Sequence, residues 1–184
     1  MAPKIIPFYF PQFHRIPEND TWWGEGYTEW VDVSRAVPRF EGHLQPRLPT
    51  TLGFYDLADV SVQERQSEMA QEYGIFGFCY YYYWFCGRKL LQKPIENMLA
   101  NPAVRIPFCI CFANENWTCR WQGRNDEILI RQEHRSADDR NFIRSLIPFF
   151  CDPRYIRIGG RPLLLVYQTR LFPDAKATDR KSVV

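Results

Sequence analysis

The sequence predicts an α/β fold of the (β/α) TIM-barrel type, represented by its N-terminal half, about four βα units. Three observations carry this. Four short apolar runs alternate with helical stripes along the 184 residues, the order that builds a parallel sheet. The run Ile75 to Tyr82 is apolar on both faces, as a strand covered on two sides must be. Each run also starts on an aliphatic residue (Ile5, Ile75, Ile106, Leu163) and ends on polar or aromatic ones. In such folds ligands bind at the C-terminal strand ends, so this polarity points to a site there. A closed barrel needs eight strands and typically about 250 residues, which is why four units make half of one.

The first strand is Ile5 to Phe10, ended by Pro11. From Gln12 to about Tyr55 the chain makes a long turn-rich excursion dense in aromatic residues, a length that usually signals function or disorder. The aromatics argue for function. Leu57 to Tyr73 reads as a helix with Val62, Met69, Ala70 and Tyr73 on one face and Gly74 as its C-terminal cap. Ile75 to Tyr82 is the second strand, Leu90 to Leu99 a helix, and Pro107 to Phe112 the third strand. Glu127 to Ile130 suggests a short extra strand. Ser136 with Asp139 forms an N-cap pair for a helix carrying Phe142, Ile143, Leu146, Ile147 and Phe150, with Pro148 bending or ending its last turn. Gly159-Gly160-Arg161 is a turn before a fourth strand, Pro162 to Tyr167. Residues 1–172 then form the barrel piece and 173–184 a loose polar tail.

Composition narrows the function classes. A formal charge of +2, without a basic run, argues against nucleic acid as a partner. No apolar stretch reaches the roughly 18–20 residues of a membrane span. The chain enters its first strand directly after Met1-Ala2-Pro3-Lys4, with no signal peptide in view, so the expected location is cytoplasmic. The six cysteines form no C-x-x-C pair and the three histidines are scattered, so neither a metal site nor a cofactor is expected. No G-x-G-x-x-G, Walker or D-x-D motif supports a nucleotide-sugar transferase of the Rossmann kind. The informative excess is aromatic, 16% with six Trp and ten Tyr, much of it falling in loops where flat faces can meet a ligand.

The strand ends supply the candidates. The third ends in Asn114-Glu115-Asn116-Trp117, followed by Arg120 and Trp121. Glu115, between two amides and beside an indole, is the leading catalytic carboxylate, since partial desolvation would raise it towards general-acid duty. Its structural alternative is an ion pair with Arg120. Glu29 in Gly26-Tyr27-Thr28-Glu29-Trp30 is the second, because sugar chemistry uses two acids across the scissile bond; a loop salt bridge is its alternative. Trp22, Trp23, Trp30, Trp117 and Trp121 offer faces to sugar C–H surfaces. Tyr9, Gln12, His14, Tyr82, Trp84, Asn114, Asn116 and Arg120 complete the expected substrate-binding set. Tyr80 to Tyr83 must alternate between site and helix layer. His43 and His134 read as structural.

Several blocks then become familiar in order: FYFPQFHRIPENDTWWGEGYTEW, HLQPRLP, GIFGFCYYYYWFCGRKLL, FCICFANENWTCRW and DPRYIRIGGRPLLLVY. Together they resemble the WbsX-type polysaccharide-biosynthesis family, itself similar to glycoside hydrolase family 99, the endo-mannosidases. The resemblance runs from about Ile5 to Tyr167. It implies a (β/α) barrel that cleaves or transfers glycosyl units of a glycan substrate, often in O-antigen or other surface-polysaccharide metabolism. It also implies that the chain stops about midway through the domain. Its partner would then be the missing C-terminal half or a second copy, and the alternative function is a truncated glycan-binding or inactive fragment. The endo-mannosidases place two acids in a late E-x-x-E segment, which this sequence lacks, so those roles do not carry over.

Overall fold

The computed structural model describes residues 3–45, 47–119 and 124–181. Its sheet is built from β1 (Phe8–Tyr9), β2 (Phe78–Phe85), β4 (Phe108–Phe112) and β9 (Leu164–Val166), paired in that order and all parallel. Between them run α3 (Val60–Glu72), α4 (Lys93–Ala100) and α5 (Ser136–Phe150), the arrangement of a partial (β/α) barrel.

Local chemistry explains where the elements start and stop. Asp59 caps α3 by accepting from the Ser61 amide. At its other end Gly74 takes φ 75°, while the Gly74 and Ile75 amides close back on the Gln71 and Ala70 carbonyls. That Schellman closure uses Ile75, so β2 begins at Phe78 rather than at Ile75. Between them, Gly77 lies against the neighbouring strand. A Cβ there would sit 2.7 Å from the Pro107 carbonyl oxygen and 2.9 Å from Ile156 Cδ1. Gly77→Ala is therefore expected to cost about 1–3 kcal/mol. A urea midpoint equal to wild type would refute this close-packing account.

The long excursion after β1 is ordered by two short helices, α1 (Pro17–Trp23) and α2 (Glu29–Arg35). β2 continues past its expected end and turns back through Cys86 and Gly87, both at positive φ, into the antiparallel β3 (Arg88–Leu90). The extra strand is β6 (Arg124–Ile130), which pairs antiparallel with β5 (Trp117–Cys119) as a hairpin rising from the end of β4. Gly159 and Gly160, both at positive φ, join β7 (Arg157–Ile158) to β8 (Arg161–Pro162). Two sequence readings change. Arg135, not Ser136, occupies the N-cap of α5, without a side-chain cap. The segment read as a loose tail contains α6 (Ala175–Lys181), whose Thr178 hydroxyl donates to Asp139 of α5.

The helix-facing side of the sheet is the core. Phe112 stacks on Phe142 at 4.2 Å, Tyr82 packs on Phe142 and Phe149, and Phe108 meets Tyr155. Every residue of β4 is buried. All six cysteines are free thiols, with Cys79, Cys109 and Cys111 buried side by side on β2 and β4. No helix among the described residues is long and apolar enough to cross a membrane.

Candidate functional site

Strand parity decides which aromatics face the mouth. In β2, Tyr80, Tyr82 and Trp84 point to the helices while Tyr81 and Tyr83 point inward, since side chains alternate along a strand. The inward set is contiguous. Phe8 stacks on Tyr81 at 5.0 Å and 16°, Tyr81 touches Tyr83 and Tyr167, and Tyr83 meets Trp117 at 4.9 Å. Trp117 in turn contacts Trp22 of α1 at 5.8 Å. An aromatic floor thus runs from β1 across β2 to the β5–β6 hairpin.

Glu115 sits beside this floor. The Gln168 Nε2 donates to Glu115 Oε2 at 2.7 Å, and Arg170 Nε and Nη2 donate to Gln168 Oε1 at 3.1 and 3.0 Å. Asn114, fully buried, ties the ends of β4 and β9 together. Its Oδ1 accepts from the Gln168 amide and its Nδ2 donates to the Gln168 carbonyl, each at 2.8 Å. Asn116 Oδ1 accepts from the Gln132 amide at 2.7 Å and fastens the base of the hairpin. The amides flanking Glu115 therefore brace the backbone, which is why a carboxylate can be presented there reproducibly.

Glu29 opens α2, and burial, seconded by the Asp32 carboxylate, raises its pKa from 4.5 to about 7. Tyr83 links the two acids. Burial raises its phenol pKa, and the charges of both Glu115 and Glu29 add to that rise. Burial also pushes Tyr81 up to about 12, with Glu115 contributing. Glu115 and Glu29 thus both lie within electrostatic reach of one inward tyrosine.

Other expected ligand-binding residues lie elsewhere. Tyr9, Tyr82 and Trp84 face the helices and not the mouth. The Tyr9 hydroxyl donates to Gln66 of α3, Tyr82 is sealed by α5, and Trp84 Nε1 donates to Asp138 at 2.9 Å. All three are buried on the helix side. His14 is buried too, its Nδ1 2.7 Å from the Pro11 carbonyl, and burial lowers its pKa. Trp23 packs on Tyr27, and Trp30 packs on Phe13 and Tyr55 while donating to the Tyr55 carbonyl. Arg120 and Trp121 lie outside the described residues. Tyr81, Tyr83, Tyr167, Gln168 and Arg170 were not among the expected site residues; the alternation of Tyr80 to Tyr83 and the strand-end position of Tyr167 and Gln168 signalled all but Arg170. Among the described residues no group of three or more His, Cys, Asp or Glu is placed to hold a metal ion.

Fold and mouth together define a partial (β/α) barrel whose strand ends carry Glu115, the Asn114 and Gln168 amides and a band of aromatic rings. Residues 5–181 match the family described as Glycosyltransferase WbsX, and the chain belongs to that family. The uncharacterized protein WxcX of Xanthomonas campestris pv. campestris, from two strains, is 52% identical over 178 residues. The match covers 97% of this chain and 26% of WxcX, so the chain spans about a quarter of these relatives. Two structures of the GH99 endo-alpha-mannosidase from Bacteroides thetaiotaomicron, one in complex with bis-tris propane, superpose with a TM-score of 0.54 at 16% identity. They cover 91% of this chain, which spans 43% and 46% of theirs, and the likeness concerns the fold.

Proposed function

We propose that this chain builds one side of the mouth of a glycan-active (β/α) barrel that cleaves or transfers glycosyl units in surface-polysaccharide metabolism of the O-antigen type. The observation that carries this is Glu115, held by Gln168 at the end of the third sheet strand beside an aromatic floor, with Glu29 within electrostatic reach of the same Tyr83. Glycosyl chemistry uses one acid to protonate the departing oxygen and a second carboxylate to assist the opposite face. Flat rings bind the C–H faces of pyranoses, while carboxylates and amides take the hydroxyls. Hydrolysis and transfer draw on the same pair; they differ in whether water or an acceptor hydroxyl reaches the anomeric carbon. The similarity to an endo-alpha-mannosidase makes mannose-containing oligosaccharides the first ligands to try.

Titration calorimetry should show saturable binding of such an oligosaccharide, and product analysis with and without an acceptor sugar separates hydrolysis from transfer. Glu115→Gln is expected to weaken binding by about 10-fold or more, the usual scale for a hydrogen bond to a charged group. Glutamine can still accept from Gln168, so the unfolding midpoint should hardly move. Wild-type affinity and turnover in Glu115→Gln would remove this carboxylate from the site.

One observation favours a second reading, a piece that binds glycan without turnover. Phe8 and Tyr167 on the inner face are 54% and 47% exposed, and β1 and β9 end the sheet order. A complementary half-barrel or a second copy would cover both. Binding without turnover by a monomer, with light scattering reporting its size in the same titration, supports this reading; turnover by the monomer rejects it.

A further inference from the structure

Gln168, just past β9, makes two side-chain contacts of opposite chemical sense. Its Oε1 faces Arg170, with Nε and Nη2 at 3.1 and 3.0 Å, and its Nε2 faces Glu115 Oε2 at 2.7 Å. A glutamine amide can be placed in either of two orientations, but a guanidinium has only donors. Arg170 therefore accepts no orientation except oxygen towards itself, which turns the NH2 group onto Glu115. The backbone of the same residue is clamped by buried Asn114 through two 2.8 Å bonds, so the amide has a fixed pivot. A cation on the amide oxygen also polarises it and strengthens the opposite N–H as a donor.

We propose that Gln168 and Arg170 are a positioning pair that holds Glu115 Oε2 as a hydrogen-bond acceptor beside the aromatic floor. This rests on the reading of Glu115 as a glycan-site carboxylate and assigns it a side of the chemistry. A carboxylate held by a donor receives a hydrogen from a glycan hydroxyl, an acceptor hydroxyl or water, so Glu115 works on the accepting side and the proton-giving side falls to another acid. Neither Gln168 nor Arg170 needs to touch the glycan. Arg170 acts through Gln168, and a lysine at position 170 can replace one of its two bonds.

Three variants test this, Arg170→Met, Arg170→Lys and Gln168→Met, each read in two ways. The first is the side-chain amide of Gln168 in nitrogen-15 NMR. Wild type should show two slowly exchanging protons shifted away from free-amide values, and Arg170→Met should return both to those values and speed their exchange. The second is affinity for a mannose-containing oligosaccharide. Gln168→Met should weaken it about 10-fold, Arg170→Met about 3-fold, and Arg170→Lys should recover most of the loss. Arg170 is on the surface, so unfolding midpoints should stay at the wild-type value. An unchanged amide signal in Arg170→Met, or no recovery in Arg170→Lys after a loss in Arg170→Met, overturns the pair. If wild type binds no oligosaccharide while the amide signals return to free values in Arg170→Met, the pair stands and the glycan reading falls.

Discussion

Replacing Arg154 by methionine is expected to remove about 3–5 kcal/mol of stability, the scale for breaking a buried ion pair from one side. The reason is the number of groups one side chain satisfies. Nε and Nη2 bond both oxygens of Asp152 at 2.9 and 2.7 Å, while Nη1 donates to the Asn101 and Val104 carbonyls at 2.9 and 2.7 Å. Nη2 also donates to the Leu99 carbonyl at 3.0 Å. Two of those carbonyls belong to the C-terminal turn and cap of α4, which a helix leaves without partners of its own. The ion pair is only 14% and 10% exposed, so water cannot replace the lost donors cheaply. Methionine keeps the packing volume and strands the Asp152 carboxylate with three carbonyls. At roughly 2–4 °C per kcal/mol for a domain of this size, the melting point should fall by about 10 °C. A fall of only a degree or two would show that the fork is dispensable.

The same pair sets an acid limit. Arg154, first by its hydrogen bond, lowers the Asp152 pKa from its ordinary 3.8. A depressed carboxyl pKa adds stability that is present above the unfolded value and lost as pH falls through the folded one. The gap between wild type and Arg154→Met should therefore narrow on acidification below that range, because protonation removes the charge that the arginine serves.

How much of this could be read from the sequence depends on what each feature leaves in one dimension. β4 is visible because Phe108 to Phe112 is an uninterrupted apolar run between Pro107 and Asn114, and it is buried throughout. The four strands and three crossover helices follow from such runs and stripes. The parity of β2 leaves no trace, because a strand buried on both faces carries no polar alternation. Tyr82 and Trp84 therefore looked as eligible for the mouth as Tyr81 and Tyr83, and only the packing of Tyr82 on Phe142 and Phe149 separates them. Gln168 could be placed at a strand end, but its partner Arg170 looked like any surface arginine. A relay through an amide has no spacing signature. Glu115 was legible at its strand end; the donor that Gln168 aims at it, and the raised pKa of Glu29, left no mark in the sequence.

Glu29→Gln is expected to have the largest effect on chemistry. Burial, with Asp32 behind it, lifts the Glu29 pKa to about 7, so near neutrality the side chain is protonated about half the time and can give a proton. Loss of a general acid typically costs about 10²–10⁴-fold in rate, and the fall of activity on the alkaline side of about pH 7 should disappear with it. Stability supplies a check that needs no substrate. A raised carboxyl pKa means that the folded state holds the proton more tightly, so this contribution is complete below the ordinary value of 4.5 and is lost as pH rises through about 7. Glutamine mimics the protonated form at every pH. Glu29→Gln and wild type should therefore unfold alike near pH 5, and by pH 8 the variant should be the more stable by about 1–2 kcal/mol, allowing for solvent screening of a half-buried group. Parallel stability curves across that window would mean that Glu29 titrates like an ordinary surface acid, and the proton-donor role would have to move to another carboxyl.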